Sequence, residues 1–117
     1  MLSGDDGASL QPGSKKMLKL AVTFRATDRF RGKLISNLLF DIFEEKSFQS
    51  VVMFRADRGY DQRGFTTASV LGLSIKLPVI LEAVEESEKI MATLPMIKKI
   101  VGSNGLIETS GVDVYSY

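Results

Sequence analysis

The sequence contains no cysteine and no histidine. Without cysteine there are no disulfides and no thiolate nucleophiles. Without either residue, the ligand sets of zinc fingers and zinc enzymes and the Ser-His-Asp triad are excluded. The side chain that most often moves protons near neutral pH is missing too. Catalysis would fall to Asp, Glu, Lys, Tyr or a bound hard cation, so the expectation is a protein that is not an enzyme. A formal net charge of +1 gives no electrostatic case for nucleic acid or an anionic membrane surface as partner. No apolar run approaches the ~18 residues of a membrane span. The best, Leu77 to Val84, is interrupted by Pro78 and Glu82. The N-terminus lacks the charged-then-apolar order of a signal peptide. A cytoplasmic domain without direct membrane insertion and without a nucleic-acid partner is expected.

The 117 residues are 44% apolar, which suits one domain with a modest core. Residues 1–16 are rich in glycine and small polar residues and read as a flexible N-terminal tail, or alternatively a partner-binding arm. The domain then runs over 17–117. In Met17 to Arg25, Leu18, Leu20, Val22 and Phe24 alternate with Lys19, Ala21 and Thr23, the pattern of a half-buried strand. From Arg31 to Lys46 the period changes. Leu34, Ile35, Leu38, Leu39, Ile42 and Phe43 form columns at i, i+4, so an amphipathic helix is predicted, with Asp28 as a candidate cap. Ser50 to Arg55 reads as a strand, and so does Leu77 to Val84, with Pro78 at an edge or a strand start. Glu85 to Val101 reads as a second helix, kinked or split at Pro95 and stopped by Gly102. Glu85, Glu86 and Glu88 at its start complement the helix dipole; a metal site is the competing reading. Gly111 to Tyr115 is a last short strand. Met53, Met91 and Met96 are expected in the core, and Tyr115 and Tyr117 at packing or interface positions. The order is β-α-β-β-α-β. The predicted fold class is α+β: a ferredoxin-like sandwich, with an antiparallel sheet, two helices on one face and a long loop between the second and third strands.

That loop, Gly59 to Lys76, is longer than the ~12–15 residues that structureless connections usually reach. Val70, Leu71, Leu73 and Ile75 call for burial of part of it. At its base stand Arg55, Arg58 and Arg63 with Gly59 and Gly64. Guanidinium groups suit phosphate or carboxylate, and glycines let backbone N–H groups approach an anion. Tyr60 and Phe65 could stack on a base or anchor the loop. Alternatively Asp57 and Asp61 pair with these arginines on a solvated loop. No phosphate-binding motif of the GxxxxGK[ST] or GxGxxG type is present. Arg25, Arg29, Arg31 and Lys33 form a second basic group, either a solvated helix start or a corner near a neighbouring subunit's loop base.

With these residues placed, the chain resembles the small PII-like proteins often grouped as a conserved domain of unknown function, which are similar to nitrogen-regulatory PII signal-transduction proteins. The resemblance rests on TDRFRGKL (Thr27 to Leu34), LPVILEAVEESEKI (Leu77 to Ile90), the Leu94-Pro95 pair and GLIETSGVDVY (Gly105 to Tyr115). It implies a homotrimer in which adenine nucleotides bind in clefts between subunits near the loop base. It further implies that the loop, 59–76, acts on a partner, a membrane transporter or an enzyme. Relatives carry Arg-Gly-x-x-Gly-Phe-Gly at the loop base. Here the stretch is Arg55-Ala56-Asp57-Arg58-Gly59-Tyr60-Asp61: two glycines are lost and two aspartates appear. Tyr60 is the one candidate for the loop modification known in PII proteins. The expected ligand-binding residues are Arg55, Arg58, Gly59, Tyr60, Arg63 and Gly64, joined by Arg25 and Arg29. The expected effector is AMP, ADP or ATP, with no tightly bound cofactor and no metal. Three rivals remain: a divalent-cation-tolerance-like trimer, a structural trimer without ligand, and an enzyme using Asp57 or Asp61 as base.

Overall fold

The computed structural model describes residues 13–61, 63–67 and 77–115. The alternation in the first strand is realised in β1, Lys15–Arg25, where Leu20, Val22 and Phe24 are buried. The strand begins before the expected boundary, so Lys15 and Lys16 belong to it rather than to a tail. Their ammonium groups meet Glu86 at 2.6 Å and Asp113 at 3.1 Å, exposed pairs that add little to stability.

Helix α1 spans Ile35–Glu45 and buries Ile35, Leu39 and Phe43. It starts later than the periodicity predicts. Two short strands, β2 (Arg29–Phe30) and β3 (Lys33–Leu34), pair across Arg31 and Gly32. Those two residues have φ of 52° and 82°, the left-handed geometry of a type I′ hairpin. The chain cannot be helical there. Asp28 does not cap the helix through its side chain. Its backbone carbonyl accepts the Ile35 N–H at 3.0 Å, and its carboxylate turns back to accept the Arg25 N–H at 2.8 Å.

The chain continues through β4 (Ser50–Arg55), β5 (Arg58–Asp61), β6 (Gly64–Thr67), β7 (Pro78–Glu85), helix α2 (Ser87–Val101), a 3-10 turn (Gly102–Asn104) and β8 (Leu106–Val114). The main sheet is ordered β4-β7-β1-β8, every neighbouring pair antiparallel. This is the ferredoxin-like arrangement. Leu20, Val22 and Phe24 of β1 and Val79, Leu81 and Ala83 of β7 pack against Ile35, Leu39 and Phe43 of α1 and Ile90, Ile97, Ile100 and Val101 of α2. Pro78 opens β7, a central strand, where its missing N–H falls at the strand start.

Several details differ from the sequence reading. Glu85 ends β7 instead of starting a helix. Its buried carboxylate accepts the Gln49 N–H at 2.7 Å and the Glu86 N–H at 3.0 Å, with Lys89 at 3.6 Å. Those donors outweigh the cost of burying the charge and hold its pKa below the ordinary value. Helix α2 runs unbroken through Pro95, which lies on the exposed side, where solvent can replace the lost backbone bond. Met91 and Met96 are exposed. Each sits one residue from a buried isoleucine, a turn of about 100° that carries it off the core face; Met53 packs at the core margin. Strand β8 begins five residues before Gly111, at Leu106. Its polar Glu108, Thr109 and Ser110 gave no strand signal because an edge strand can leave them exposed. Gly102 ends α2 at φ 66°, as expected. Tyr115 is exposed. Val70, Leu71, Leu73, Ile75 and Tyr117 lie outside the described residues. Among the described residues, no helix is long and apolar enough to cross a membrane.

Candidate functional site

Three chain segments converge where β1 ends. Pro78, the first residue of β7, is paired in register with Arg25, the last residue of β1. The turn before β8 arrives beside them, and the β5–β6 hairpin folds over the junction. Between them lies a cleft of about 310 Å³. Thr23, Phe24 and Arg25 contribute from β1, Tyr60 and Asp61 from β5, Pro78 from β7, and Asn104, Gly105 and Leu106 from the turn.

Two glycines make this convergence possible. A Cβ on Gly105 would strike a Val101 methyl and approach the Thr23 carbonyl to 2.9 Å. A Cβ on Gly59 would come within 2.8 Å of Pro78 Cγ. Backbone bonds fix the surroundings: Ala26 N–H to Leu77 O at 3.0 Å, and Ala56 N–H to Pro78 O at 2.9 Å.

The cleft's charges are linked. Arg25 donates to Asp61 from Nη2 at 2.8 Å and from Nε at 3.2 Å. Arg63 donates to Asp28 from Nη1 at 2.6 Å and from Nη2 at 3.0 Å, and Nη2 also reaches Asp61 at 3.3 Å. The Arg63 N–H bonds the Asp61 side chain at 2.8 Å, an Asx-type turn. Burial opposes ionisation of Asp28, but the Arg63 guanidinium and the Arg25 N–H outweigh it and lower its pKa. At Asp61, desolvation is likewise outweighed, here by Arg25 and Arg63, and the pKa is again lowered. The bond to Asp28 raises that of Arg63.

The structure places the sequence-derived residues unevenly. Arg25 and Tyr60 line the cleft, and Tyr60 is 82% exposed. Gly59 packs on Pro78, and Arg63 joins the cleft through Asp61. Gly64 opens β6 opposite Asp61. Arg29 donates to the Gly32 carbonyl at 2.7 Å, across the β2–β3 turn. Arg55 and Arg58 are exposed and have no ion-pair partner among the described residues. Of the two aspartates considered as internal partners, Asp61 takes that role. The sequence reading missed Asn104, Gly105 and Leu106. The sequence reading stops the helix at Gly102 and draws nothing from Ser103-Asn104-Gly105, although a serine, asparagine and glycine in a row are a turn signal.

A family model described as "Uncharacterized ACR" (DUF190) matches residues 17–114. The chain belongs to the DUF190 family. Among the family's relatives, UPF0166 protein MJ1524 of Methanocaldococcus jannaschii is 30% identical over 82% of this chain and 89% of its own length. A UPF0166 protein of Aquifex aeolicus is 32% identical, covering 86% and 92%. The fold of this DUF190 chain is that of PII-like proteins. CPII, a nitrogen regulatory PII-like protein from Thiomonas intermedia K12, solved with ADP, AMP and bicarbonate, aligns at a TM-score of 0.63. The identity is 9%, with 88% of this chain and 92% of that one covered. A protein of Thermus thermophilus described as a PII-like signaling protein aligns at 0.62, with 13% identity and 87% and 92% covered.

Proposed function

We propose that this protein is a PII-like regulator that binds an adenine nucleotide at the loop base and acts on a partner through its long β4–β7 connection. The observation that carries the reading is the cleft itself. A guanidinium, an exposed tyrosine ring and a glycine turn meet at the root of that connection, in a fold shared with a protein solved with ADP and AMP. In this reading Arg25 meets the phosphates and Tyr60 stacks on the base. Arg55, Arg58 and Arg29 reach the nucleotide of a neighbouring subunit in a homotrimer. The assembly has support in the open face of the sheet. Register aligns Phe54, Ile80, Thr23 and Leu106 in one row across it, and Val52, Phe54 and Leu106 are exposed there. A row of that kind suits burial against another copy. The protein is cytoplasmic and non-enzymatic in this proposal, and its partner is a transporter or an enzyme.

Calorimetric titration with AMP, ADP, ATP and cyclic AMP, with and without magnesium, tests the reading. Micromolar binding of one of them at one site per subunit is the expected result. Arg58→Ala then weakens binding by on the order of 1–3 kcal/mol, the usual worth of a charged hydrogen bond. Unchanged affinity in that variant removes Arg58 from the site. Silence of the folded wild-type protein across the panel overturns the nucleotide reading.

A further inference from the structure

We propose that Asp61 is a built-in anion occupying the guanidinium site of the cleft, so that an entering phosphate binds by displacing it and thereby loosens the β5–β6 hairpin, breaking one of the two ion pairs that tie it to the body and leaving the Arg63–Asp28 pair. The proposal rests on the reading of the cleft as an anion site and adds how occupancy would reach the loop.

Asp61 is held by two guanidinium groups. Arg25 grips it with two donors, at 2.8 and 3.2 Å, and Arg63 adds a third at 3.3 Å. A planar guanidinium offers the same two-point geometry to phosphate oxygens as to a carboxylate. The Arg25 side chain is only 13% exposed, so this contact is better shielded than an ordinary surface pair. Both Arg25 and Asp61 line the cleft. An anion arriving there meets an arginine whose carboxylate partner is in place, and like charge keeps the two anions from sharing it.

The two partners sit on different parts of the molecule. Arg25 ends β1, the strand that runs through the core. Asp61 ends β5, the first arm of the hairpin. Their ion pair is one of two that tie the hairpin to the body; the other joins Arg63, in the hairpin turn, to Asp28, just after β1. Asp28 makes the exchange workable, because it holds Arg63 through two bonds of its own, at 2.6 and 3.0 Å, keeps that charge partnered when Asp61 leaves, and so lets the hairpin loosen without letting it go. A phosphate carries more charge and more acceptor oxygens than a carboxylate. It thus prefers the state with Asp61 displaced, and such a preference is what shifts a two-state equilibrium.

Hydrogen exchange of the backbone amides in Arg58–Asp61 and Gly64–Thr67, together with calorimetry, tests this. In the wild-type protein, ADP should speed hairpin exchange several-fold. In Asp61→Asn, exchange should be fast without ligand, and ADP and inorganic pyrophosphate should bind several-fold tighter. Asp41→Asn, on the exposed side of α1, controls for the loss of one negative charge and should behave as wild type. ADP that binds the wild-type protein and slows hairpin exchange, or leaves it unchanged, overturns the exchange of anions while the nucleotide reading stands. So does Asp61→Asn binding no tighter than Asp41→Asn. If no nucleotide binds the wild-type protein but pyrophosphate binds Asp61→Asn, the exchange stands and the nucleotide reading falls. The wild-type exchange experiment needs no variant, so a poorly folded Asp61→Asn does not remove the test.

Discussion

Asp28 shows how much a single carboxylate can organise. Its side chain is 10% exposed and takes bonds from the Arg25 N–H and from both terminal nitrogens of Arg63. Replacing it with alanine removes the bond to the Arg25 N–H and both bonds to Arg63, leaving that guanidinium its longer contact with Asp61, and should cost on the order of 1–3 kcal/mol, read from the denaturant midpoint. The same residue gives a pH prediction. Asp28, Asp61 and Glu85 all have folded-state pKa values below ordinary. The stability they contribute is complete above the unfolded carboxyl range, ~4, and drains away as pH falls through the lower folded values. Unfolding free energy should be flat between about pH 5 and 8 and decline below ~4. The decline should be shallower in Asp28→Asn. An unaltered acid limb in that variant would remove Asp28 from the balance. Gly105→Ala supplies the steric counterpart: its methyl must displace Val101 or the Thr23 carbonyl, and overpacking of that kind costs roughly 1–3 kcal/mol. A melt as stable as wild type would show that the turn can shift to make room.

At the scale of elements, the sequence was most readable where burial imposes a period. Leu20, Val22 and Phe24 announce β1, and Ile35, Leu39 and Phe43 announce α1. It was least readable where geometry is set by a turn or by an edge. The apolar columns of α1 carry no mark of where the helix begins, and Arg31-Gly32 is not one of the asparagine or aspartate pairs that usually signal a type I′ turn. Replacing Gly32 with alanine forces a side chain into its φ of 82° and should cost about 1 kcal/mol, seen as a lowered Tm. Strand β8 was half hidden because its exposed middle need not alternate. The arginines and glycines of the loop base were visible as a cluster. Asp61 was legible as a partner of the loop's own arginines, but its pairing with Arg25 was not, since the two are 36 residues apart and only the strand order brings them together. The Asn104–Leu106 wall of the cleft was invisible for the same reason: a turn is legible locally, but what it faces is a property of the whole sheet.

At the scale of the molecule, the two faces of the sheet have opposite fates. One is covered by both helices. The other presents Val52, Phe54 and Leu106 to solvent, in strands whose register aligns Phe54 with Leu106 through Ile80 and Thr23. If that face joins copies into a trimer, Phe54→Asp should yield a smaller species by sedimentation velocity while far-ultraviolet circular dichroism is retained. An unchanged sedimentation coefficient would place the interface elsewhere.

The backbone bonds that fix the β4–β7 connection have a consequence for how the protein can change over time. Ala56 is tied to Pro78 and Leu77 to Ala26, so both ends of the connection are pinned to the central strands, whatever lies between. For a chain segment with fixed ends, doubling its length costs only ~0.6 kcal/mol in closure entropy. Flexible glycine and serine residues inserted between Thr67 and Leu77 should therefore leave the melting temperature within a few degrees. If this connection meets a partner, as proposed above, insertions within it can alter that contact with little effect on the fold, so one scaffold can be refitted to new partners by changes confined to a single stretch of chain.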